Sequence, residues 1–201
     1  MNTQAKLIAL DADGVLLDYN LAYASAWERA FGVRPQLRDP QAYWAIDRWG
    51  VERLAGERLD QLRACFDEQF WSTIPAIAGA VAACQRLSQA GFELVCVSAV
   101  QPQYADARLR NLQAHGFPIE RVHATSSAGA GRSPKAAALE QLRPAAFVDD
   151  YLPYFQGVPG DMHLALVLRQ SGGSPNVGPE LAHVHSTHAD LAAFADWWLA
   201  R

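Results

Sequence analysis

The sequence predicts an α/β fold: a parallel sheet with helices on both faces and one all-helical insert. Three observations predict it. Short apolar runs alternate with segments of helical periodicity from Pro75 onward. Polar residues cluster where the apolar runs stop, at the carboxyl ends of the expected strands. Between the first run and Pro75 lies a stretch with little strand character.

Leu7 to Leu10 is the first strand, an apolar run that stops at Asp11-Ala-Asp-Gly14. Asn20 to Phe31 carries large residues at helical spacing (Leu21, Tyr23, Trp27, Phe31), and Gly32 ends it. Gln41 to Trp71 is made of helix formers and aromatics that Gly50 and Gly56 divide into short helices. Next come a helix over 78–89, a strand over 93–97 ending at Ser98, and a helix over 102–115. A short strand over 121–124, a helix over 135–142 and a strand over 145–148 follow, the last ending at Asp149-Asp150. A strand over 162–168, one more at His183 to His185, and a final helix over 188–200 complete the chain. Thr187 with Asp190 reads as a capping box for that helix. The expected division is a core of 1–18 and 75–201, with 19–74 as the insert.

Composition narrows the function classes. Half of the 201 residues are hydrophobic and 19% charged, enough for a buried core without disulfides or structural metal. A net charge of −4 with no basic run gives no support for nucleic acid as a partner. Cys65, Cys84 and Cys96 are odd in number and form no C-x-x-C pair, which suits a reducing cytoplasm. The polar start, Met1 to Lys6, and the charges at Asp11 and Asp13 do not resemble a signal peptide. No apolar run is long enough to span a membrane, so no membrane partner is expected.

The candidate chemistry lies at the strand ends. Asp11, Asp13, Ser98, Lys135, Asp149 and Asp150 all fall there or at the start of the following helix. Four carboxylates facing one crevice are costly unless something neutralises them. With one lysine they suit a hard divalent cation, Mg²⁺, and a phosphate dianion. Asp-x-Asp puts both carboxylates on one side of a strand, and Gly14 lets the chain turn away. Asp11 is then placed to attack phosphorus, and Asp13 to move the proton. Gly129-Ala-Gly-Arg-Ser-Pro-Lys135 lacks the spacing of a nucleotide-binding P-loop. His183, His185 and His188 are a weaker metal candidate, because such residues also serve a last strand and helix entry.

Asp11-Ala-Asp-Gly-Val-Leu-Leu-Asp18 resembles the first signature of the haloacid dehalogenase (HAD) superfamily, D-x-D-G-[TV]-x-x-D. Val95-Cys-Val-Ser98, Ser133-Pro-Lys135 and Phe147-Val-Asp-Asp150 resemble the second, third and fourth, in the family's order. The resemblance implies a Rossmann-like three-layer core with strands in the order 5-4-1-2-3 and a small helical cap at 19–74. It implies a phosphohydrolase with Asp11 as nucleophile and Asp13 as acid and base. Mg²⁺ would be held by Asp11, the backbone carbonyl of Asp13 and Asp149, with Asp150 close by. Ser98 and Lys135 would bind the phosphoryl oxygens. The substrate would be a small phosphorylated metabolite. The second Asp argues against a dehalogenase, whose leaving group needs no proton; a phosphomutase or a catalytically silent binding module are the alternatives. Ala99 and Tyr154 depart from residues common at their positions in relatives. The cap aromatics are read mainly as core, with Trp44, Arg48 and Trp49 as candidate substrate contacts and Arg53 beside them.

Overall fold

A computed structural model describes residues 6–125 and 131–201. Six strands, all parallel, form one sheet: β1 (Leu7–Leu10), β2 (Glu93–Ser98), β3 (Val122–Ala124), β4 (Ala146–Asp149), β5 (His163–Val167) and β6 (Ser186–His188). Their order across the sheet is β3-β2-β1-β4-β5-β6, the expected five-strand order with a sixth strand added at one edge. Because β1 lies centrally between β2 and β4, the residues that follow those three strands share one edge of the sheet.

Side chains alternate across the strands, so each face receives its own apolar set. Ile8, Leu10, Leu94, Cys96, Val148 and Val167 pack with helices α5 (Ala80–Gln89), α6 (Ala105–Ala114) and α8 (Leu191–Leu199). Ala9, Val95, Val97, Phe147, Leu164 and Leu166 pack on the other face with Leu139 of α7 (Ala136–Leu142) and with Leu152 and Phe155. These are the three layers expected of the class.

Helices α1 (Tyr19–Phe31), α2 (Ala45–Arg48), α3 (Gly56–Ala64) and α4 (Glu68–Ser72) occupy the predicted insert. Asp18 caps α1, its Oδ1 accepting from the Leu21 amide at 3.0 Å, so the last Asp of the first motif fixes where the insert starts. Gly32 ends α1 with φ of 74°, and its amide donates to the Glu28 carbonyl. The insert's aromatics pack on one another: Tyr19 edge-on to Phe70 at 5.7 Å, Phe70 to Phe66 at 4.9 Å, and Trp27 to Phe31 at 4.7 Å. Phe70 and Trp27 belong to the same apolar cluster as Ile8 and Leu10, so the insert and the sheet share a core. Truncating Phe70 to Ala would cost about 3–5 kcal/mol.

Two boundaries differ from expectation. Residues Pro179–His183 form a turn of 3-10 helix, and the edge strand lies further on, at Ser186–His188. A polar three-residue edge strand has no apolar alternation to reveal it; it is fixed by backbone bonds such as Leu168 N–H to His188 O at 2.8 Å. The last helix starts at Leu191, because Asp190 is itself the cap, its Oδ1 accepting from the Ala193 amide at 2.8 Å. Thr187 lies in β6 and makes no capping box with it. No helix among the described residues is long and apolar enough to cross a membrane.

Candidate active site

The loop after β1 is tightly wound. The Asp11 amide donates to Val148 O at 2.9 Å, tying the end of β1 to β4, and the Leu16 and Leu17 amides both donate to Ala12 O. Gly14 has φ of 92°, and a Cβ there would lie 2.3 Å from Asp150 Oδ2. Glycine is therefore required twice, for the backbone conformation and for the approach of the fourth motif to the first.

Asp11, Asp149 and Asp150 converge, each offering a carboxylate oxygen within 4.8 Å of the others. The Lys135 ammonium, fully buried, donates to Asp11 Oδ1 at 2.5 Å and to Asp149 Oδ2 at 2.6 Å. Burial alone would push the Lys135 pKa down, but the two carboxylates outweigh it and hold the ammonium charged. Asp149 takes a further bond from the Tyr151 amide at 2.9 Å. Burial drives its pKa well above the ordinary carboxylate value despite Lys135. Asp150 is pushed up to about 6 by burial, against the pull of Arg169. The Ser98 hydroxyl is buried at the end of β2 and has no hydrogen-bond partner among the described residues. A buried hydroxyl without a partner is costly unless a ligand satisfies it.

Two arginines escaped the sequence reading. Arg108, fully buried on α6, grips both oxygens of Asp13, with Nη1 to Oδ1 at 2.9 Å and Nη2 to Oδ2 at 2.7 Å. Its guanidinium also lies 4.9 Å over the Trp71 ring. The signal was available: Arg108 shares a helix face with buried Asn111 and Leu112, where a charge needs a partner. Arg169, just past β5, binds Asp150 through Nε and stacks 4.3 Å over Tyr43. The Tyr43 hydroxyl donates to Asp150 Oδ2 at 3.1 Å. Asp13 thus keeps a raised pKa because burial outweighs Arg108.

Lys135, Arg108 and Arg169 oppose the four carboxyl groups, two cations more than the one lysine named from the sequence, and burial pulls Asp13, Asp149 and Asp150 toward their protonated forms. The donors still fit a hard cation: only carboxylate oxygens converge, and Asp11 and Asp149 each have an oxygen that Lys135 does not take.

A crevice of about 400 Å³ opens above Asp11, Asp13 and Asp150. Tyr19, Asn20, Tyr43, Trp44, Ala45 and Trp71 of the insert line it, with Ala99, Tyr151, Tyr154 and Arg169 from the sheet edge. The departures Ala99 and Tyr154 therefore both face this space, and the Tyr154 ring lies 4.7 Å from the Lys135 ammonium. Of the three candidate substrate contacts, only Trp44 lines the crevice. Trp49 is buried with Ala24 and Ala45, its Nε1 donating to Asn20 O at 2.6 Å. Arg48 is turned to the Pro40 carbonyl at 2.9 Å. Neither was distinguishable from Trp44 by residue type; helix α2 is too short for its facing to be read from sequence. Arg53 is exposed, 3.9 Å from Asp47, in an adjoining groove. The aspartates are the metal-competent group found among the described residues; His183, His185 and His188 form none. Of the glycine-rich segment before Lys135, Gly129 and Ala130 lie outside the described residues.

Comparison with known proteins agrees with this geometry. The family of haloacid dehalogenase-like hydrolases matches residues 5–152. A search of curated proteins finds no match. Among solved structures, a HAD family hydrolase from Deinococcus radiodurans with bound phosphate and sodium superposes with a TM-score of 0.61 at 15% identity, over 94% of this chain and 93% of that one. The L-2-haloacid dehalogenase of Xanthobacter autotrophicus gives 0.61 at 15%, covering 98% and 99%. A putative beta-phosphoglucomutase from Thermotoga maritima gives 0.59 at 16%, covering 97% and 99%. At these identities the structures share the fold, and they span several reactions.

Proposed function

Since the chain belongs to the haloacid dehalogenase-like hydrolases, we propose that it is a phosphohydrolase that cleaves a small phosphate monoester through a phosphoaspartate at Asp11. The observation that carries the reading is Asp13, held beside Asp11 on the crevice floor with a raised pKa. Displacing a halide calls for no proton; expelling an alkoxide does.

In the first step an Asp11 carboxylate oxygen attacks phosphorus, the ester P–O bond breaks, and Asp13 gives its proton to the leaving oxygen. In the second, Asp13 takes a proton from water as the water oxygen attacks phosphorus. The bond to Asp11 breaks and inorganic phosphate leaves. Burial favours the protonated form of Asp13 needed first, and Arg108 stabilises the carboxylate needed second. The two opposing effects suit a group that must change state twice; such catalysis contributes about 10²–10⁴-fold. Lys135 and the unpartnered Ser98 hydroxyl supply donors for the phosphoryl oxygens. Mg²⁺ bound by Asp11, Asp149 and the Asp13 carbonyl, with Asp150 beside them, would supply positive charge for the same oxygens.

Residues 19–74 act as a cap in this reading, since the insert supplies much of the crevice wall. The substrate is a small phosphorylated metabolite, and the free thiols of Cys65, Cys84 and Cys96 fit a cytoplasmic setting. The test is release of phosphate from acetyl phosphate and p-nitrophenyl phosphate, with and without Mg²⁺, by wild type and Asp11→Asn. Wild type should turn over only with Mg²⁺, and the variant not at all. Turnover by Asp11→Asn, or full activity after chelation, refutes the assignment.

A further inference from the structure

We propose that the leaving group is an uncharged aromatic alcohol. The inference rests on the phosphohydrolase reading and deepens it. Above the carboxylates, six rings line the crevice: Tyr19, Tyr43, Trp44, Trp71, Tyr151 and Tyr154. Four of them, Tyr43, Trp44, Tyr151 and Tyr154, form a connected edge-to-face set, while Tyr19 and Trp71 make a separate tilted pair 6.4 Å apart. Trp44 stands 4.9 Å from Tyr43 at 80° and 6.1 Å from Tyr151 at 73°, and Tyr151 stands 4.8 Å from Tyr154 at 82°. Rings fixed in this way are a preorganised surface for another ring, which gains contact without ordering the wall. Trp44 is 44% exposed although its edges are held by two neighbours. An accessible indole on the wall of a catalytic crevice is apolar surface that a ligand can cover.

Charge decides the second half of the inference. A leaving group with its own carboxylate or second phosphate needs a cation on the wall. Arg169 is the one arginine or lysine that lines the crevice among the described residues, and it is bound to Asp150 and stacked on Tyr43. Arg108 and Lys135 are likewise held by Asp13, Asp11 and Asp149. Arg53 lies in the adjoining groove beyond Trp44. A second anion in the crevice would therefore face Asp13 and Asp150 with no cation free to meet it.

The test compares three esters of primary alcohols, so that leaving-group acidity is closely matched. They are benzyl phosphate, cyclohexylmethyl phosphate of similar size, and 4-carboxybenzyl phosphate, with acetyl phosphate as a small activated reference. Benzyl phosphate should exceed cyclohexylmethyl phosphate in kcat/KM by about 3–10-fold, the size of one or two ring contacts. The carboxylated ester should fall below benzyl phosphate. Trp44→Ala should narrow the benzyl preference, and Trp44→Phe should keep most of it. If acetyl phosphate is cleaved but benzyl and cyclohexylmethyl esters react alike, or the carboxylated ester is preferred, this inference falls and the phosphohydrolase reading stands. If none of the four is cleaved with Mg²⁺ present, both fall.

Discussion

The carboxyl edge of β1 and β4 and the outer flank formed by β5, β6 and α8 both gather ionisable side chains, and they hold them by opposite means. At the first, Asp11, Asp13, Asp149 and Asp150 are matched by Lys135, Arg108 and Arg169 in buried or partly buried ion pairs. At the second, His163 stacks among His185, Trp197 and Trp198 at 5.1–5.3 Å. Its Nε2 and that of His188 each lie 2.8 Å from Ser186 Oγ, and His185 Nδ1 accepts from the Leu164 amide. Burial, then Arg201 and the other two histidines, lowers the His163 pKa to about 4. On the flank, burial favours the neutral forms of His163 and His188; at the edge, carboxylates and cations pair beside an open crevice. In the sequence the aspartates drew attention as metal ligands, and so did His183, His185 and His188; His163 did not. What separates them is counter-charge and access to ligand.

The largest effect that sharpens this contrast should come from Lys135→Ala. Removing the shared cation leaves two buried carboxylates facing each other, a change worth about 3–5 kcal/mol where a buried pair is broken. Urea denaturation in metal-free buffer should show the loss, and Mg²⁺ should restore part of it if the same carboxylates take the ion. A variant as stable as wild type would mean that the ammonium does not neutralise them.

Arg108→Ala should act next. With its carboxylate no longer gripped, Asp13 loses position, and kcat should fall by about 10²-fold with little change in KM. Arg108→Lys keeps the charge but not the two-point grip, and should recover only part of the rate. Equal rates for Arg108→Lys and wild type would show that charge alone matters there.

On the flank the effect is smaller and depends on pH. The folded His163 pKa lies below the unfolded value of about 6.5. The unfolded chain therefore binds more protons between those values, and wild-type stability should fall as pH drops through that window and level off below it. His163→Gln should flatten that slope in urea midpoints taken across pH. An unchanged slope would place the acid sensitivity elsewhere.

Much of the catalytic edge was legible in the sequence because the rule behind it is topological. A polar residue where an apolar strand stops must lie at the sheet's carboxyl edge, and Asp11, Ser98 and Asp149 all do. The same rule would have flagged Arg169, which follows the apolar run that ends at Leu168. Arg108 needed a different signal, a charge on the buried face of α6, and the scattered arginines of the chain hid it. Tyr43 was out of reach, because its place beside Asp150 depends on a loop bond between Gly172 and the Tyr43 amide, far apart in sequence. Strand β6 was placed a few residues early for the opposite reason: its pairing comes from the backbone, and its side chains carry no pattern. The family resemblance supplied the roles of the aspartates, and the geometry supplied the arginines that hold them.

The central claim is that Asp11 takes the phosphoryl group. Rapid acid quenching of the enzyme during turnover of acetyl phosphate with Mg²⁺, followed by peptide mass spectrometry, tests it most directly. The account predicts a phosphoryl adduct on Asp11, more of it in Asp13→Asn, where the attacking water has lost its base. Sustained turnover with no adduct on Asp11 in either protein would contradict it.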